Sequence, residues 1–129
     1  MSSILMPIKP QFVEKILSGN KKYEYRKIKA KKNNTNKMII YATSPVMKVV
    51  AEVSIEEVLE DFPEKIWEKT KDYSGTTKEF YDKYFINSKK AVAYKIGKIK
   101  VYDKPKKLSE LGINYTPQSF IYLDKKIDD

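Results

Sequence analysis

The chain has 129 residues, of which 33% are charged and 41% hydrophobic; 26 Lys and Arg stand against 17 Asp and Glu, a net charge of +9. That length predicts a single domain, 1–129, around one packed core, and the basic balance favours a polyanionic partner. Cysteine and histidine are both absent, which excludes disulfides, thiolate nucleophiles, zinc sites built on cysteine, and Ser-His-Asp or Cys-His catalysis.

Met1–Pro7 has no basic region ahead of a long apolar stretch, so it does not read as a secretory signal. No run approaches the roughly 20 apolar residues of a membrane helix. The expected location is therefore cytoplasmic, away from membranes. Ser3–Ile8 reads as a first strand, and Pro10 suits the first turn of a helix, where its missing N–H is not needed. Phe12, Val13, Ile16 and Leu17 recur at helical spacing, and Gly19 stands where a left-handed C-terminal cap belongs.

Lys21–Ile28 alternates well enough for a second strand. Lys29–Lys37 is polar and turn-prone and predicts an exposed loop. Met38–Ala42 and Val46–Val58 read as strands separated by Thr43-Ser44-Pro45. Asp61 is a plausible N-cap for a helix holding Ile66 and Trp67, and Thr76 with Glu79 is spaced as a capping box before Phe80, Tyr81, Tyr84 and Phe85. Ala91–Tyr102 is strand-like again, with Gly97 marking a bulge or a close backbone approach. A short turn over Leu108–Leu111 ends at Gly112, and Ser119–Leu123 predicts a last strand. Several short strands with segregated helices favour a curved or closed sheet: an α+β, mainly β fold, a small β-barrel with an N-terminal helix and a helical insertion between strands.

Within this order, Gly19-Asn20-Lys21-Lys22-Tyr23-Glu24-Tyr25-Arg26 follows a Gly-x-Lys-x-x-Glu-x-Arg pattern. Side chains alternate along a strand, so Glu24 and Arg26 share a face; Lys21 has the opposite parity and joins them only from a turn after Gly19. A lysine, a carboxylate and an arginine converging on one cavity can hold a phosphate or a nucleobase, whereas at a surface the same residues make an ordinary ion pair worth about 0–1 kcal/mol. Tyr41, Thr43 and Ser44 sit at a strand end, where a barrel mouth would bring hydroxyls to a ligand; the alternative is a Ser-Pro turn chosen for backbone geometry. The helical spacing of Trp67, Phe80, Tyr84 and Phe85 favours core packing over base stacking. Tyr23 and Tyr25, opposite Glu24, are expected to pack against a helix. Lysines at 27, 29, 31, 32 and 37, with no acid between them, read either as a solvated hairpin loop or as a contact to a phosphate backbone.

The pattern around Lys21, the Ile8-Lys9-Pro10 lead into a helix that runs to Gly19, and the segments Tyr41–Pro45 and Pro117-Gln118-Ser119-Phe120 resemble the ASCH domain family. The resemblance implies a PUA-like β-barrel, a fold that recurs in RNA-binding and RNA-modifying proteins. On that reading the chain binds RNA or a nucleoside or nucleotide through Lys21, Glu24, Arg26, Tyr41, Thr43 and Ser44, needs no metal or other cofactor, and acts in RNA metabolism or translation.

One branch of the family deacetylates N4-acetylcytidine with a Lys, a Thr and an acid. The Lys falls on Lys21, the Thr falls on Glu24, and the nearest acid to the third position is Asp72. An amidohydrolase in which Lys21 is catalytic is thus the alternative activity, with Glu24 expected to oppose it by favouring the charged ammonium. A third reading is a transcription-linked adaptor that binds another protein.

Overall fold

A computed structural model describes residues 2–32 and 34–129. Six strands form one sheet in the order β2-β5-β4-β3-β1-β6: β1 (Ser2–Ile8), β2 (Tyr23–Arg26), β3 (Thr35–Ala42), β4 (Lys48–Asp61), β5 (Ala91–Lys106) and β6 (Ile121–Tyr122). Three helices accompany them: α1 (Pro10–Leu17), α2 (Pro63–Thr70) and α3 (Lys78–Tyr84). The sheet is mixed. β1 runs parallel to β3, and the other pairings are antiparallel. It curls into a half-barrel whose two edges are β2 and β6. This is the expected small α+β, PUA-like architecture, with α1 early and α2 and α3 inserted between β4 and β5. No helix among the described residues is long and apolar enough to cross a membrane.

Alternation along β3 separates two cores. Met38, Ile40 and Ala42 face inward with Ile4, Met6 and Ile8 of β1 and with Val13 and Ile16 of α1. Ile39 and Tyr41 face the other way, onto Leu5, Val49 and Tyr102, where Leu111, Ile113, Leu123 and Ile127 of the C-terminal segment cover them. A third cluster joins Ile66 of α2 and Tyr81 of α3 to Tyr25 on β2 and Ala91 and Ala93 on β5.

The helix boundaries follow local chemistry. Pro10 begins α1, as expected, and Gly19 takes φ +85 just past its end, a conformation that suits glycine. Two caps differ from the sequence reading by one residue. Phe62 precedes α2 while the Asp61 carboxylate accepts its N–H (2.8 Å), and Thr77, not Thr76, caps α3 by accepting the Phe80 N–H (3.1 Å). Thr76 and Thr77 offer the same hydroxyl, so spacing alone does not choose between them, while Asp61 acts from one residue before the Phe62 cap position.

The expected loop over Lys29–Lys37 is shorter than its composition implies. Thr35–Lys37 already belongs to β3, paired with both β1 and β4, and Asn33 lies outside the described residues.

Gly97 answers to its expected role. It sits in β5 where the pairing with β4 shifts register on both sides of Ile55, and a Cβ there would stand 2.4 Å from the Ser54 hydroxyl and 2.5 Å from Glu56 Oε1. That hydroxyl accepts the Lys98 N–H at 2.7 Å. Gly97→Ala therefore displaces Ser54 and disturbs the bulge, and overpacking of this kind costs about 1–3 kcal/mol. Thermal unfolding followed by circular dichroism should show a Tm lower by several degrees, with an unchanged native spectrum.

Candidate functional site

The elements meet around a cavity of about 330 Å³ at one end of the half-barrel. Its polar floor is Lys21, Glu24 and Arg26, and its walls include Phe12 of α1, Phe80 and Tyr84 of α3, and Phe85 just beyond α3.

Register explains the floor. Glu24 pairs with Tyr94 and Arg26 with Val92, and both partners belong to the inner core, so the two side chains point inside the curl. Glu24 is 5% exposed. Its Oε2 accepts from Arg26 Nε at 3.0 Å and lies 2.8 Å from a terminal guanidinium nitrogen. That same nitrogen donates to the Pro7 carbonyl on β1, across the open side of the sheet. This is a multidentate pair with a buried carboxylate and a half-buried guanidinium, not the surface contact that sequence spacing alone would allow.

Lys21 reaches the floor through the turn, as parity required. Gly19 N–H donates to the Ile16 carbonyl, and Lys21 N–H donates to the Lys15 carbonyl at 2.9 Å. The chain thereby folds back under α1, and Lys21 is 3% exposed. Its ammonium donates to the Ser74 carbonyl at 2.6 Å, stands 4.0 Å from Glu24 Oε1, and lies 4.7 Å from the Tyr25 ring centre and 5.3 Å from that of Phe12. Burial lowers its pKa to about 8, with Glu24 pulling in the opposite direction. Glu24 was expected to keep this amine charged. The loss of water outweighs the carboxylate, because Glu24 is already held by Arg26 and is beyond hydrogen-bond length from Lys21.

Two further residues complete this corner. Gly75, at φ +67, packs so closely that a Cβ would sit 2.5 Å from Lys21 Cβ. Lys15 donates to the Gly75 carbonyl at 3.0 Å, so Lys15 and Lys21 together hold the Ser74-Gly75 turn. Nothing local in the sequence ties this Ser-Gly pair to a lysine more than fifty positions earlier.

The other expected site residues separate. Thr43 lines the cavity. Tyr41 does not: it is 2% exposed and packs on the outer face, because alternation along β3 sets it opposite Ile40 and Ala42. Ser44 is exposed in the turn after β3, outside the cavity wall. Asp72 is also exposed and away from the floor.

The aromatic residues of the insert were expected to serve core packing, and this too needs correction. Trp67 and Phe85 do pack in the third cluster, but Phe80 is 40% exposed and meets Phe12 edge-on at 5.4 Å in the cavity wall. Tyr84 and Phe85, 4.7 Å apart, line the same wall. A helix as short as α3 can cover the core with Tyr81 and still offer its neighbours to the cavity. Tyr25 packs on Tyr81 as expected, at 5.0 Å, yet its ring also lines the cavity. The Thr70 hydroxyl donates to the Ile66 carbonyl at 2.7 Å, leaving the Tyr25 hydroxyl to donate to Thr70 Oγ1, also at 2.7 Å; burial raises the Tyr25 pKa to about 12. Gln118 is a further wall residue that sequence reasoning passed over. Among the described residues no group of three acids is placed to hold a metal ion.

Such a floor can hold a planar polar group. The carboxylate accepts N–H donors, the guanidinium and ammonium meet an anion or a carbonyl, and the rings supply flat apolar contact.

Comparison with known proteins places this geometry. Residues 1–116 match a family described as a domain of unknown function, DUF365. The ASCH protein of Zymomonas mobilis superposes with a TM-score of 0.86 over 95% of this chain and 88% of its own, at 25% identity. In sequence, the chain is 36% identical over 91 residues to the large ribosomal subunit protein uL22 of Ureaplasma parvum serovar 3, covering 70% of this chain and 29% of that protein. It is 30% identical over 122 residues to the ATP synthase subunit alpha of the same organism, covering 94% of this chain and 15% of that one. The chain thus spans less than a third of the curated relatives it matches. With one family profile over most of its length and an ASCH protein superposing on nearly all of it, the chain belongs to the DUF365 family and has the ASCH-type, PUA-like fold.

Proposed function

We propose that this domain binds a single nucleobase, in RNA or as a modified nucleoside, in the cavity above Glu24. The observation that carries this reading is the buried Glu24 carboxylate, held by the half-buried Arg26, beneath a wall of aromatic rings. A base has two flat faces for Phe12, Phe80 and Tyr84, and an edge of donors and acceptors for Glu24, Arg26 and Lys21. The volume of about 330 Å³ falls at the small end of ordinary ligand sites. The net charge of +9 attracts a phosphate-bearing ligand from a distance. The two sequence relatives have unlike names, and the chain matches a minor part of each. The shared segment therefore takes its role from neither name, and a role in RNA metabolism or translation rests on the cavity alone.

A second reading, hydrolysis of an acylated nucleoside, is favoured by one observation: Lys21, with its pKa lowered to about 8 in a ring-lined cavity, is suited to act as a general base. The Thr that the deacetylating branch of the ASCH family uses is replaced by Glu24, while Thr43 and Thr76 place hydroxyls elsewhere in the wall. This ranks hydrolysis below binding.

Titrating the four ribonucleosides and N4-acetylcytidine against the protein by ligand-observed NMR tests the first reading. At least one should saturate. Because stacking on one ring contributes about 1–3 kcal/mol, Phe80→Ala should weaken that ligand by roughly 5- to 150-fold while leaving the fold intact. Glu24→Gln should change the preference among bases. Absence of saturation for all five ligands at millimolar concentration would sink the proposal. The same samples, assayed for acetate released from N4-acetylcytidine, decide the second reading, which requires turnover that disappears in Lys21→Met.

Lys21 also makes stability depend on pH in a defined window. Its folded pKa is about 8 against an ordinary value of 10.5. Between those values the unfolded chain holds a proton that the folded protein has released, so stability rises with pH across the window. Denaturant unfolding of the native protein and of Lys21→Met should show the difference between them shifting toward the native protein by about 3 kcal/mol from pH 7 to above pH 10. Parallel profiles would show that the amine is not buried in this way.

A further inference from the structure

The lysine-rich segment after β2 is not a loose surface loop. Ala30 N–H donates to the Tyr94 hydroxyl at 2.9 Å, and that hydroxyl donates to the Ile28 carbonyl at 3.1 Å. Lys31 and Lys32 N–H both point at the Tyr122 hydroxyl, at 2.7 and 3.2 Å. Tyr94 lies on β5 and Tyr122 on the edge strand β6, so two tyrosines from different strands fix the backbone of residues 28–32.

The anchored backbone presents Lys27, Lys29, Lys31 and Lys32, all exposed, along one groove. Among the described residues only Lys32 of the four makes an ion pair, with Asp124 at 3.5 Å. Among the described residues, Glu60 is the only acid in the groove wall. The run leads directly to the cavity. It starts next to Arg26 in the floor, and Lys27 Nζ lies 5.0 Å over the ring of Tyr84, which is a cavity wall.

Resting on the base-binding reading above, we propose that residues 27–32 form a preformed phosphate track, and that the natural ligand is a single-stranded polynucleotide which lays its backbone along this track and delivers one base into the cavity. A free nucleoside would leave the lysines without a counterpart, and a regular duplex keeps its bases stacked, away from Glu24. Fixing the lysine backbone beforehand removes part of the ordering cost that binding would otherwise carry.

The experiment uses fluorescence anisotropy with a labelled, unstructured single-stranded RNA of roughly 12 nucleotides and the corresponding duplex, with salt varied from about 50 to about 200 mM. The native protein should bind the single strand more tightly than the duplex. In Lys27→Ser/Lys29→Ser/Lys31→Ser, single-strand affinity should fall, and the slope of log affinity against log salt should flatten by about 2, from three lost phosphate contacts at about 0.7 each. Affinity for a free nucleoside should not change in Lys29→Ser/Lys31→Ser, which leaves Lys27 in place over the Tyr84 ring. Phe80→Ala should weaken strand binding with the slope preserved. An unchanged slope in the triple variant, or tighter binding of the duplex, overturns the track. If nucleosides saturate while the strand binds no more tightly than they do, the track falls and base binding stands. If neither nucleosides nor strand bind, both fall together.

Discussion

The Arg26 side chain holds this structure together where the sheet does not. The strand order leaves β2 and β6 as edges, and the half-barrel would gape between β2 and β1. Arg26 closes that gap from the side, gripping the Glu24 carboxylate on its own strand and the Pro7 carbonyl on β1. Beyond it the closure continues through the backbone of 28–32, hung on the hydroxyls of Tyr94 and Tyr122. The side-chain bridge thus does what strand pairing does in a fully closed barrel. It also leaves an opening roofed by rings, with the bridge as its floor. Cavity and closure are the same feature, and removing the guanidinium would strip the buried Glu24 carboxylate of its hydrogen-bonded partner, leaving only the Lys21 ammonium at 4.0 Å.

What the sequence disclosed follows from the reach of its local rules. The Pro10 start, the Gly19 stop and the period-2 parity of Glu24 and Arg26 all act within a few residues, and each appears in the fold as read. Lys21 was placed by the same logic, through the turn. Long-range partners left no such mark. Pro7 lies 19 positions from Arg26, Ser74 lies 53 from Lys21, and Tyr122 lies 91 from Lys31. Tyr41 was misplaced because its hydroxyl was weighed without its parity, which sets it among Leu5, Val49 and Tyr102 on the outer face. Phe80 was misplaced for the converse reason. Helical spacing shows that a face is apolar, and only the packing of α3 against α1 shows that part of this face meets a cavity.

The balance at Lys21 bears on why these residues are there at all. An amine whose pKa falls to about 8 through burial destabilises the fold at neutral pH by about 3 kcal/mol relative to its neutral form. A domain of this size has roughly 5–15 kcal/mol of stability in total. An apolar side chain in the same corner would pack against Phe12 and Tyr25 without that penalty. The neighbourhood is nevertheless shaped around the lysine: Gly75 gives up its Cβ to make room for the stem, and the Ser74 carbonyl takes the ammonium. Folding alone does not account for an arrangement that costs stability and constrains two separate segments. The proposed base-binding function would account for it, because the polar edge of a base in the cavity would replace the water that burial removed.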